Sequence, residues 1–99
     1  MKIIFTKEAK RDLDDLRAFL KPLNALALAK VVSKININIQ SILDNPNIGR
    51  QTSLENVREL IETRYGFIIA YYIKSREVFV LRIYQTKRKP LEYGSIKLP

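Results

Sequence analysis

Apolar residues along the chain recur first with a helical period and later with a strand period, and this change divides the sequence into two parts. Lys2-Ile3-Ile4-Phe5 is a short β-rich run. Thr6 behind it is a good helix N-cap, with Glu8 in the turn that follows. Ala9, Leu13, Leu16 and Leu20 then form one helical stripe, with Asp12, Asp14, Asp15 and Arg17 off its centre. Lys21-Pro22 ends this helix, because proline cannot continue the hydrogen-bond ladder and restricts the residue before it. A second helix is predicted from Leu23 to Leu43, about 30 Å long, with the stripe Leu28, Val31, Val32, Ile35, Ile39, Ile42 and Leu43. The local alternation Ile35-Asn36-Ile37-Asn38-Ile39 has the period of a strand. The longer helical stripe and the stop at Asn45-Pro46 outweigh it, and Ile37 alone among these isoleucines falls off the apolar face. The two helices make an αα-hairpin.

Residues 45–53 read as a polar loop rich in turn residues. Three strands follow: Val57 to Thr63, Phe67 to Lys74 and Glu77 to Gln85, joined by the short turns Tyr65-Gly66 and Lys74-Ser75-Arg76. The near-continuous apolar character of the last two places them centrally in a sheet. The order β-α-α-β-β-β predicts an α+β fold in which a helical hairpin packs on a small antiparallel sheet. The 99 residues make a single domain, with residues 86–99 as a basic C-terminal tail.

Composition narrows the chemistry. The chain has no Cys and no His, which removes disulfides, thiolate nucleophiles, Ser-His-Asp and Cys-His arrangements, and the commonest metal ligands. Its three glycines are scattered, so no glycine-rich phosphate loop can form. No cofactor is implied. Asp12, Asp14 and Asp15 are not read as a metal site, since Lys10 and Arg11 stand one helical turn before Asp14 and Asp15 and predict a salt-bridged, solvated face. The longest apolar run, Phe67 to Ile73, is too short to span a bilayer, and Met1-Lys2 opens directly onto a strand with no signal-peptide core. Those features predict a cytoplasmic protein with no membrane partner. Lys and Arg total 18 against 10 acids, a net charge of +8, and no acid lies between Glu77 and Glu92. Such an excess favours an acidic partner, nucleic acid or protein.

The informative side chains are basic and aromatic: Arg58, Arg64, Tyr71, Tyr72, Arg82, Tyr84, Lys87, Arg88, Lys89 and Tyr93. Strand parity sets Phe79, Leu81 and Ile83 on one face of the last strand, expected to meet the helices. Val78, Val80, Arg82 and Tyr84 then lie on the other, expected to be open and suited to phosphate and base contact. Without His, proton transfer falls to Tyr, Lys or a carboxylate, and a Lys/Arg cluster can stabilise a phosphorane-like transition state. Lys87, Arg88 and Tyr93 supply those residue types; Glu77 and Glu92 are the carboxylates nearest to them in sequence.

Taken together, the element order, the opening Lys-Ile-Ile-Phe-Thr-Lys-Glu-Ala with Asp12-Leu13, and the later block resemble the RelE/ParE superfamily of toxins from type II toxin–antitoxin systems. That block runs through Val57-Arg58-Glu59-Leu60, Tyr65-Gly66-Phe67-Ile68-Ile69-Ala70-Tyr71-Tyr72 and Val78 to Tyr84. The resemblance implies a growth-inhibiting toxin neutralised by an acidic cognate antitoxin. Members similar to RelE cut mRNA on the ribosome and carry an Arg on the middle strand with basic residues and an acid-acting Tyr near the C-terminus. This chain has Ile68 at the middle-strand position, and Lys87 or Arg88 with Tyr93 match the remainder.

Members similar to ParE lack that nuclease set and poison DNA gyrase. The 57–60 and 67–72 blocks look more like theirs. The favoured expectation is therefore a ParE-like, non-enzymatic inhibitor of DNA gyrase. Its target or antitoxin contacts would be Arg58, Arg64, Tyr72, Arg82, Tyr84 and Lys89. The alternatives are a ribosome-dependent mRNA endonuclease with Lys87, Arg88 and Tyr93 as its catalytic residues, or a degenerate relative that is inactive.

Overall fold

The computed structural model describes residues 1–87 and 92–99. Strand β1 (Lys2–Phe5) leads into α1 (Lys7–Leu20), whose N-cap Thr6 accepts a hydrogen bond from the Ala9 N–H. Helix α2 (Ala25–Asp44) begins two residues later than the apolar pattern predicts, because Asn24 caps it by accepting from the Ala27 N–H. The isoleucine-asparagine alternation is helical, as the longer period requires. Val31, Ile35, Asn38, Ile39 and Ile42 are buried along one face, and Ile37 is exposed. Strands β2 (Arg50–Gln51), β3 (Val57–Glu62), β4 (Phe67–Lys74) and β5 (Glu77–Gln85) complete the sheet, and Tyr93–Ser95 forms a single 3-10 turn.

Two predictions about the sheet need correction. It has five strands rather than four, in the order β1-β5-β4-β3-β2, because Arg50–Gln51 leaves the expected loop to pair with β3. It is also mixed rather than antiparallel: β1 runs parallel to β5, with Lys2 opposite Glu77 and Phe5 opposite Val80. After the αα-hairpin β2 runs opposite to β1, and β3, β4 and β5 each reverse in turn, so β5 lies parallel to β1 across the long connection that a parallel pair needs.

Both faces of the sheet are covered. The helices lie over one face, where Ile35, Ile39 and Ile42 meet Phe67, Ile69, Tyr71, Val78, Val80 and Ile83. On the second face Val57, Ala70 and Leu81 are buried beneath Leu54, Tyr72, Phe79, Tyr93 and Ile96. The predicted parity of β5 is thus inverted over residues 78–81. A bulge explains it: Ala70 pairs with Arg82 but Tyr71 with Val80, so Leu81 is an extra residue in the ladder. Beyond the bulge Ile83 faces the helices and Tyr84 the second face, as parity predicts.

Candidate functional site

Strand β3 positions the central group. Val57 and Glu59 share the second face, opposite Tyr72 and Ala70 of β4, and Glu59 also stands directly across from Arg50 of β2. Register thus delivers the guanidinium to the carboxylate: Arg50 Nε donates to Glu59 Oε1 at 2.9 Å, and Nη2 lies 2.8 Å from the same oxygen in an ion pair. The other oxygen, Oε2, accepts from Tyr84 Oη at 3.1 Å and from Tyr93 Oη. Three sequence-distant elements, β2, β5 and the 3-10 turn, therefore converge on one side chain that is only 7% exposed. Burial pushes the Glu59 pKa up, but the hydrogen bonds from Tyr93, Arg50 and Tyr84 outweigh it and hold the group below its ordinary value. Burial, reinforced by the Glu59 carboxylate, raises the Tyr93 phenol well above its ordinary value.

That chemistry suits a latch. An ionised carboxylate that accepts three hydrogen bonds beside a guanidinium is a poor base toward a substrate, and a phenol with a raised pKa is a reluctant acid. Among the described residues, the backbone hydrogen bonds of segment 92–99 are Ser95 N–H to Glu92 O and Ile96 N–H to Tyr93 O, both internal. Side chains hold the segment to the sheet: Tyr93 on Glu59, Ile96 on the apolar patch, and Lys74 Nζ donating to Pro99 O at 3.3 Å.

The residues singled out in the sequence divide sharply. Tyr84 and Tyr93 meet at Glu59. Tyr72 is half-buried, its ring centroid 6.2 Å from that of Phe79. The second face is therefore closed by Tyr93 and Ile96 rather than open. Arg58 projects toward the helix side and donates through Nη1 to Gly49 O at 2.8 Å and Asn47 O at 3.4 Å. Tyr71 closes the same loop, donating to Pro46 O at 2.6 Å and accepting from the Gly49 N–H at 2.9 Å. Arg82 forms a bidentate pair with Asp12 of α1, at 2.8 and 3.1 Å, and that hydrogen bond raises its pKa. Asp12 also accepts from the Ile83 N–H, where β5 has run past the end of β1. The predicted pairing of Asp14 with Lys10 and of Asp15 with Arg11 does not occur. Among the described residues the ion pairs are Arg50–Glu59 and Arg82–Asp12. Arg64 is exposed with its guanidinium 5.6 Å from the centre of the Tyr65 ring, and Lys87 is exposed beyond β5. Arg88 and Lys89 lie outside the described residues.

Sequence reasoning missed Glu59 and Arg50. The available signal was parity on β3, which sets Glu59 between Val57 and Ile61 on a face that β5 shows to be apolar.

Comparison with known proteins then places the chain. The family model described as "ParE toxin of type II toxin-antitoxin system, parDE" matches residues 3–90. A Sinorhizobium fredii protein named "Putative toxin Y4kP" is 32% identical over 82 residues, spanning 83% of this chain and 84% of that protein. The solved structure described as the chromosomal ParDE TA system from P. aeruginosa matches with a TM-score of 0.73 at 24% identity, over 88% of this chain and 97% of that one. The isolated E. coli RelE toxin matches with a TM-score of 0.61 at 14% identity, over 89% and 86%. At such identities these structures show the shared fold.

Proposed function

The chain belongs to the ParE toxin family of type II toxin–antitoxin systems, and from that membership we propose that it arrests growth by binding DNA gyrase rather than by cutting RNA. The observation that supports this most directly is Tyr93. As the general acid of an endonuclease it would have to release its proton to a leaving group, yet that proton is held in a hydrogen bond donated to the buried Glu59 carboxylate. The face that RNA would have to occupy is filled by the chain's own Tyr93 and Ile96. Arg58 and Arg82 are engaged by loop carbonyls and by Asp12, so they act within the fold. The protein is further proposed to act in the cytoplasm, where gyrase is found, and to be neutralised by an acidic antitoxin that its charge of +8 attracts. No helix among the described residues is long and apolar enough to cross a membrane.

Tyr93→Phe tests the reading. The ring still covers the sheet, so inhibition of gyrase-driven DNA supercoiling should persist at temperatures where the variant is folded. Loss of growth arrest in a fully folded Tyr93→Phe protein, together with loss of ribosome-dependent mRNA cleavage that the parent protein shows, would establish the nuclease reading instead.

A further inference from the structure

The arginines that hold the fold are satisfied: Arg50 and Arg82 by carboxylates, Arg58 by carbonyls. Many other cations among the described residues lack such partners, and three of them gather at one place. Lys30 and Lys34 of α2 and Arg64 of the β3–β4 turn converge on a shallow groove of about 490 Å³, together with Ser33, Ile37 and Tyr65. None of the three takes part in an ion pair or a hydrogen bond among the described residues, and no carboxylate lines the groove. Helix α2 carries no acid before Asp44. The nearest acid of the turn, Glu62, points inward and accepts from the Tyr65 N–H at 2.6 Å. Ser33 and Tyr65 add two hydroxyls, so the groove's polar side chains are all hydrogen-bond donors.

We propose that this groove between α2 and the β3–β4 turn binds the phosphate backbone of DNA. Lys, Arg, Ser and Tyr are the side chains that contact phosphate without reading sequence. Lys30 and Lys34 stand one helical turn apart, about 6 Å along the axis, with Arg64 facing them across the groove. A series of regularly spaced anionic groups suits that line of cations. An apolar-anchored peptide finds little here, since Ile37 is the one large aliphatic side chain in the lining. The role this gives the groove rests on the gyrase reading: a toxin that holds DNA as well as the enzyme would engage gyrase with its substrate bound.

The test is fluorescence anisotropy of a labelled duplex and of its single strand across a salt series, without gyrase. Three phosphate contacts predict a slope of log K against log salt of about −2.7 for the duplex and about −2.1 for the single strand, so duplex affinity falls about 40-fold between 50 and 200 mM salt. Lys30→Glu/Lys34→Glu/Arg64→Glu should abolish that slope. The equally charged control Lys7→Glu/Lys10→Glu/Arg11→Glu, on exposed positions of α1, should retain it. Equal loss in both triples would reduce binding to net charge and overturn the proposal. A polyglutamate peptide that binds the groove more tightly than the duplex would overturn it in favour of a protein partner. Supercoiling assays on the same proteins separate the two readings. If the groove triple loses DNA but inhibits gyrase fully, the groove's role fails and the gyrase reading stands. DNA binding confined to the groove, without gyrase inhibition, supports the groove and defeats the gyrase reading.

Discussion

Tyr71→Phe removes one oxygen atom from a residue that is completely buried. That oxygen donates to Pro46 O and accepts from the Gly49 N–H, so its loss strands two backbone groups at once. Gly49 is itself buried and packs closely on the phenol, since a Cβ there would lie 2.7 Å from Tyr71 Oη. Losing one hydrogen bond costs about 1 kcal/mol, and leaving a buried N–H unsatisfied about 1–3 kcal/mol more. The cavity contributes little because only a hydroxyl is lost. The total, about 2–4 kcal/mol, is a large fraction of the stability of a small domain and lowers the melting temperature by about 10–25 °C. Thermal unfolding followed by circular dichroism measures it. Tyr72→Phe is the internal control: its hydroxyl makes no hydrogen bond among the described residues, so the change should stay within about 0.5 kcal/mol. A Tyr71→Phe shift under about 4 °C, or one equal to that of Tyr72→Phe, would refute the argument that Tyr71 alone satisfies this loop.

Three further outcomes are expected. Asn38→Leu should raise the melting temperature by about 4–8 °C, because Asn38 Nδ2 is buried without a hydrogen-bond partner; a fall would mean that the amide is satisfied. Arg82→Ala should cost about 1–3 kcal/mol in chemical denaturation by leaving Asp12 with the Ile83 N–H alone, while DNA and gyrase binding by the folded variant stay unchanged. Glu59 has a lowered pKa in the fold, so its contribution is complete above its ordinary value of 4.5 and disappears as pH falls through the folded value. Tyr93 has a raised pKa, so its contribution is complete below its ordinary value of 10.0 and disappears only as pH rises further. Denaturation across pH should show both losses, and Glu59→Gln should flatten the acid side.

Local rules made much of this fold legible. Thr6 caps α1, the stripe from Val31 to Ile42 is buried, and β4 and β5 have their predicted limits, because capping and periodicity act within a few residues. What escaped depended on distant pairing. Leu81 bulges only in relation to Tyr71 and Ala70, and two residues at 50–51 become a strand only because β3 lies beside them. Whether β1 runs parallel or antiparallel to its neighbour depends on which later strand it meets, here β5. The site was half legible for the same reason. Tyr84 and Tyr93 stand out as aromatic residues in a basic region, whereas Glu59 gains its role from three donors on three other elements. Arg58 and Arg82 show the converse, since a positive charge in the sequence does not reveal the carbonyl or carboxylate at which it is aimed.

The most direct measurement is DNA supercoiling by purified gyrase in the presence of the purified protein, run beside a translation reaction in which cleavage of ribosome-bound mRNA is followed. The account predicts that supercoiling stops at near-stoichiometric protein while the mRNA stays intact. Undisturbed supercoiling with mRNA cut on the ribosome would contradict it.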